Sequence, residues 1–193
     1  KWINPLVVDA EYLACGSATS STFGVAAANG SGDWWIFRND KTEVATGNIG
    51  PTAGIVMADT NGDGADEVYG CRVIGCEMAA ADFNSDGRDE IITSNFETWV
   101  ESAAGSQRLD TRGMLNVEDI DGDGRLDLTV YDDETGVFSI HRGMANGLAP
   151  AVSMRTERST TGNGFLGDVD RDGDLEFVTA NDEGKLIHSR TSD

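Results

Sequence analysis

The chain has 193 residues, with 34 Asp and Glu against 14 Lys and Arg and a net charge of −20. That length fits one domain, residues 1–193, with room for a sizeable core, and that charge disfavours polyanionic partners, so neither nucleic acid nor an anionic membrane surface is expected. No apolar run approaches the about 20 residues that cross a bilayer, so membrane insertion is not expected either.

In chain order, residues 1–22 form an N-terminal strand region in which "WINPLVVDAEYL" alternates as a strand. That strand either completes a unit of this chain or pairs with a neighbouring one. "FGVAAANGSGDWWIFRND" (23–40) reads as strand–turn–strand around Asn29-Gly30-Ser31-Gly32, and Asn29-Gly30-Ser31 also satisfies the N-glycosylation rule. The first acidic loop, "DTNGDGADE" (59–67), leads into "DEVYGCRVIGCEM", a shortened strand–turn–strand unit. Cys71 and Cys76 flank its turn and are placed for a disulfide across that hairpin, which leaves Cys15 unpaired, buried or used between chains; three buried thiols are the alternative. The second loop, "DFNSDGRDE" (82–90), leads into "DEIITSNFETWVES". The third, "DIDGDGRLD" (119–127), leads into "LDLTVYDDETGVFSIHRG", and the fourth, "DVDRDGDLE" (168–176), into "LEFVTANDEGKLIHSR". Segments 101–113 and 143–165, rich in Gly, Ser, Thr and Asn, read as loops or peripheral strands. The result is about five strand–turn–strand units over 23–193, four of them accompanied by an acidic loop, with first aspartates 23, 37 and 49 residues apart.

The four loops share one pattern: Asp at position 1, Asn or Asp at 3, Asp at 5, Gly at 6, and Asp or Glu at 9. The candidate ligands are therefore Asp59, Asn61, Asp63 and Glu67; Asp82, Asn84, Asp86 and Glu90; Asp119, Asp121, Asp123 and Asp127; and Asp168, Asp170, Asp172 and Glu176. At position 7, Ala65, Arg88, Arg125 and Asp174 can each offer a main-chain carbonyl. Carboxylates this close repel one another unless a cation lies between them, and an oxygen-only set of this number suits Ca²⁺ better than Zn²⁺ or Mg²⁺. Fourteen of the 34 acidic residues occupy ligand-type positions, and four such ions would bring the net charge from −20 to −12. An EF-hand begins the same way but needs a bidentate Glu at position 12 and flanking helices. Here position 12 is Gly70, Thr93, Val130 or Thr179, and each loop runs into a short β-branched or aromatic segment, which reads as strand. The EF-hand is rejected, and the fold class is all-β.

Asp-x-Asp/Asn-x-Asp-Gly-x-x-Asp/Glu followed by an apolar strand resembles the FG-GAP repeat of integrin α-subunit propellers and the VCBS-type repeats of secreted bacterial and fungal propellers. The resemblance covers residues 55–182 and, more weakly, 23–50. It implies a β-propeller or propeller-like repeat array of about five short blades, with a Ca²⁺ held by each of the four loops. The spacings of 23 and 37 residues are shorter than the blades usual in that family.

The ions are expected to be structural: an ion in such a loop ties down a segment that otherwise frays. No nucleophile elbow, phosphate loop or His-Glu-x-x-His motif points to an enzyme. His141 and His188 both fall in the second strand of a unit, which reads as shared architecture. Of the adjacent Trp34 and Trp35, one is expected inward and one outward; an exposed Trp, Trp99 or Tyr131 can stack on a sugar, as in lectin-like members of the family, or else these rings fill the space between units. The expectation is a secreted or cell-surface protein, because modules of this kind need about 10⁻⁴–10⁻³ M calcium. Its expected role is non-enzymatic: adhesion, or recognition of a glycan or an extracellular protein. A structural subunit of an extracellular filament, appendage or surface layer, with self-association, comes second, and an accessory polysaccharide-degrading enzyme third.

Overall fold

A computed structural model of the chain describes residues 10–19, 22–38, 43–155, 164–167, 169, 171, 176–180 and 186–190. Every regular element among them is a strand. The first sheet is an antiparallel meander of β1 (Tyr12–Thr19), β2 (Thr22–Ala28), β3 (Asp33–Arg38) and β4 (Glu43–Asn48). The second pairs only β5 (Gly54–Ala58) with β6 (Glu67–Cys71). The third returns to four strands, β7 (Glu77–Ala81), β8 (Glu90–Ser94), β9 (Thr98–Ser102) and β10 (Gly105–Leu109). The fourth contains β11 (Met114–Glu118), β12 (Asp127–Asp132) and β13 (Val137–His141). After a two-residue hairpin of β14 (Gly143–Met144) and β15 (Gly147–Leu148), it is completed by β16 (Val152–Arg155). The fifth holds β17 (Gly164–Gly167), β18 (Glu176–Ala180) and β19 (Leu186–Arg190).

The all-β expectation is met, and so is the placement of every acidic loop between strands. Each loop joins the first strand of a sheet to the second, in one constant register. The residue before position 1 pairs with position 9: Ala58 with Glu67, Ala81 with Glu90, Glu118 with Asp127, Gly167 with Glu176. The hairpins expected from 23–40, 89–102 and 126–143 are β2–β3, β8–β9 and β12–β13, and the fourth is β18–β19. Segments 101–113 and 143–165 supply the outer strands β10 and β16.

One expectation is corrected. Residues 66–78 do not form a hairpin: β6 pairs back with β5, and β7 pairs forward with β8. The Cys71–Cys76 disulfide therefore closes the link between the second and third sheets. Of the expected N-terminal strand region the structure describes β1, Tyr12–Thr19, while residues 1–9 lie outside the described residues. Its small residues Ala14, Gly16 and Ala18 hid it from an apolar-pattern reading. They are small because the second sheet comes close: a Cβ on Gly16 would stand 2.0 Å from Asp66 Oδ2 and 2.9 Å from Met57 Cβ.

The first strands stack in succession, β1 against β5, β5 against β7 and β7 against β11. Among the described residues no sheet is closed on itself. Between the first two sheets lie Ala26, Ile36, Met57 and Val68. Ile92, Val100 and Leu109 of the third, with Phe83 of its loop, meet Leu128 and Val130 of the fourth and Leu148 of β15. Period-2 alternation sends Tyr131 to the other face of β12, where it packs with Phe138 and Ile140.

Candidate metal loops

All four loops leave one sheet end and return to it, and the three described in detail are built alike. The position-1 carboxylate accepts main-chain N–H groups of the turn it heads. Asp59 takes Gly62 and Gly64, both at 2.7 Å; Asp82 takes Asp86 at 3.0 Å and Gly87 at 2.8 Å; Asp119 takes Gly122 at 2.8 Å and Gly124 at 3.0 Å. Position 3 accepts from position 5, through Asn61, Asn84 and Asp121. Position 5 accepts the N–H of position 7, joining Asp63 to Ala65, Asp86 to Arg88 and Asp123 to Arg125. Gly64, Gly87 and Gly124 at position 6 have φ of 84–87°, the left-handed geometry for which glycine was expected there. Position 4 is left-handed too, and Ser85 (59°) and Arg171 (63°) adopt this costly conformation where the other loops have Gly62 and Gly122.

Position 9 starts the second strand and points inward. Glu90, Asp127 and Glu176 are each at most 3 % exposed. Each ties back to the N–H of position 2: Glu67 to Thr60, Glu90 to Phe83, Asp127 to Ile120 and Glu176 to Val169. In the first two loops the remaining oxygen takes the side-chain amide of position 3, Asn61 or Asn84. In the fourth loop Glu176 Oε1 is buried with no hydrogen-bond partner. Asp168, Asp170, Asp172 and Asp174 lie outside the described residues.

These residues fit a hard cation. Oxygens of Asp119, Asp121 and Asp127 lie within 4.8 Å of one another, inside the about 5 Å that separates oxygens on opposite sides of one Ca²⁺. This is the only such trio found among the described residues. A buried carboxylate oxygen without a partner, as in Glu176, is costly unless something positive meets it. The second loop shows the same need electrostatically. Burial pushes the Glu90 carboxyl up to about 6 against the opposing Phe83 N–H, with repulsion from Asp86, Asp82 and Asp89 adding to it.

That shift gives a test. A carboxyl held above its ordinary value contributes stability that is present below about pH 4.5 and lost as the pH rises through about 6. Burial holds His141 below its ordinary value, so His141 acts oppositely, and the Glu90 effect is best read residue by residue. In chelator, carboxyl-detected NMR is expected to find Glu90 titrating near 6; added calcium should move it below the ordinary glutamate value. An unchanged midpoint would mean that no cation reaches this carboxylate.

The sequence reading missed position 8. Asp66 and Asp89 each form a two-way bracket to the preceding sheet. Asp66 Oδ2 accepts the Ser17 N–H at 2.7 Å while the Asp66 N–H donates to the Ser17 carbonyl at 2.9 Å. Asp89 does the same to Asp59, at 2.9 and 2.8 Å. The second loop is thereby bonded to the first residue of the first loop. Burial raises both carboxyls, against these N–H bonds, and neighbouring aspartates raise them further.

Other candidates resolve as architecture. His141 is buried; its Nδ1–H donates to the Ala149 carbonyl at 2.9 Å, so Nε2 accepts the Thr111 hydroxyl at 3.2 Å. His141 pairs with Leu128 and His188 with Val178, one step apart in equivalent registers, so they are not corresponding positions. Tyr131 is 3 % exposed inside a core cluster, which removes it as a sugar platform. Trp34 packs over Gly47, while Trp99 keeps more than a third of its surface in solvent. Asn29 is committed to its turn, where Oδ1 accepts the Ser31 and Asp33 N–H groups. Cys15 is free and exposed.

Fold and site together define an all-β protein of stacked antiparallel sheets carrying acidic loops, one of which groups carboxylates that can hold a metal ion. The chain matches no known protein-family model and no curated protein.

Proposed function

We propose that this is a calcium-stabilised, propeller-type β-repeat protein that acts outside the cell as a binding or adhesion module for a glycan or a protein. The observation that carries this reading is the acidic loop itself, recurring four times at one register between the first and second strands of successive sheets. Side-by-side first strands are the arrangement of propeller blades. The oxygen-only donors favour calcium, and the need for about millimolar calcium favours an extracellular setting.

The end of the sheets away from the loops supports a binding role. Between the third and fourth sheets a cleft of about 300 Å³ is lined by Phe96, Glu97, Arg108, Arg112, Asp132 and Ser153, among others. Arg108 pairs with Glu97, and Arg112 with Asp132 and Glu134, so fixed donors and acceptors surround the cleft beside a Phe96 ring that is 80 % exposed. A few convergent polar groups beside an aromatic surface are what small-ligand sites offer. A second reading rests on the first sheet. Leu13 and Cys15 are exposed on one face of β1, with exposed Phe23 paired beside them opposite Ser17. A neighbouring chain covering that face would make the protein an assembly subunit.

Sedimentation in calcium and in EGTA, followed by a glycan-array screen with Phe96→Ala as control, separates these readings. A single 20.5 kDa species whose glycan signal falls in the variant supports the binding module. A large calcium-dependent assembly supports the subunit.

A further inference from the structure

We infer that Arg142 is an affinity-determining residue of the third loop, a resident counter-charge that a cation must displace; the inference rests on the reading that these loops bind calcium. The third loop departs from its neighbours at positions 3 and 9. The first two have Asn61 or Asn84 at position 3, whose neutral amide meets Glu67 or Glu90 at 2.6 and 2.8 Å. The third has Asp121 and, at position 9, Asp127, one methylene shorter than glutamate. Both Asp127 oxygens are engaged: Oδ1 accepts the Gly143 N–H at 2.8 Å, and Oδ2 accepts the Ile120 N–H at 3.0 Å and Arg142 Nη1 at 2.8 Å. The same guanidinium nitrogen lies 3.5 Å from Asp121 Oδ2. Arg142 thus pairs with two of the three carboxylates whose oxygens converge to within 4.8 Å.

A cation entering this trio has to compete with the guanidinium for Asp121 and Asp127. The Arg142 side chain is 37 % exposed while Asp127 is buried, so the arginine is the partner that can swing into solvent. The third loop therefore keeps its shape with little metal and fills after the first, and it empties before the first as calcium falls. Removing one positive charge within about 4 Å of a partly buried site is worth about tenfold in affinity for a divalent cation after screening by solvent.

The test is a calcium titration of wild type, Arg142→Gln and Arg142→Lys followed by backbone amide NMR, which reports each loop separately and shows whether each variant is folded. In wild type, the amides of 119–127 are expected to respond at higher calcium than those of 59–67. In Arg142→Gln they should respond at about tenfold lower calcium than in wild type; in Arg142→Lys, which keeps the charge, they should remain late. Equal midpoints for 119–127 in wild type and Arg142→Gln, with the loops still responding, overturn the role of Arg142. No response in any loop overturns the calcium reading on which it rests.

Discussion

Phe83→Ala is expected to lower stability by about 3–5 kcal/mol, the cost of truncating a fully buried aromatic ring, and to release the second acidic loop. Phe83 is 0 % exposed and sits at position 2 of that loop. Its ring packs in one cluster with Ile92, Val100 and Leu109 of the sheet its loop belongs to, Leu128 and Val130 of the next, and Leu148 of β15. Its N–H is bonded to Glu90 at 3.0 Å, so the ring also sets where the buried carboxylate lies. Val169 holds the same position in the fourth loop but is 56 % exposed, and Val169→Ala is expected to cost under about 0.5 kcal/mol. Urea unfolding of both variants checks the contrast. Equal effects would mean that the ring does not fasten the loop to the core.

Gly143→Ala is the second large effect, expected at about 2–4 kcal/mol from one overpacked backbone contact and one broken hydrogen bond to a charge. A Cβ there would lie 2.3 Å from the Leu126 carbonyl oxygen and 3.1 Å from that of Phe83. Both obstacles are main chain, so Gly143 itself must retreat, and its N–H leaves Asp127 Oδ1, now 2.8 Å away. The third loop is then predicted to lose calcium although no acidic residue has been replaced. Calcium counted on the folded variant decides: a full complement would show that Asp127 is held in place without Gly143.

The backbone geometry of the loops was legible because it is local. Spacing alone placed the ligand-type residues, the left-handed glycines at position 6 and the following strand, and each is determined within nine residues. What escaped the reading is non-local. Asp66 and Asp89 are ordinary loop acids in sequence, and their partners Ser17 and Asp59 lie 49 and 30 residues away. The segment 66–78 offered two strand-like runs around a short link, and nothing local says that β6 has already found its partner upstream. Tyr131 differs from an exposed aromatic only by its place in the alternation of β12, which depends on what covers each face. Arg142 was invisible for the same reason, since it reaches the third loop from beyond β13, 15 residues after Asp127.

The proposed function requires that these loops hold calcium and that the fold depends on it. Equilibrium dialysis of the stripped chain against millimolar calcium, with bound metal counted by atomic emission and the same samples melted with and without EGTA, tests it most directly. About four ions per chain are expected, together with a melting temperature that drops on chelation. A chain that binds no calcium at that concentration, or melts identically without it, would overturn the calcium reading.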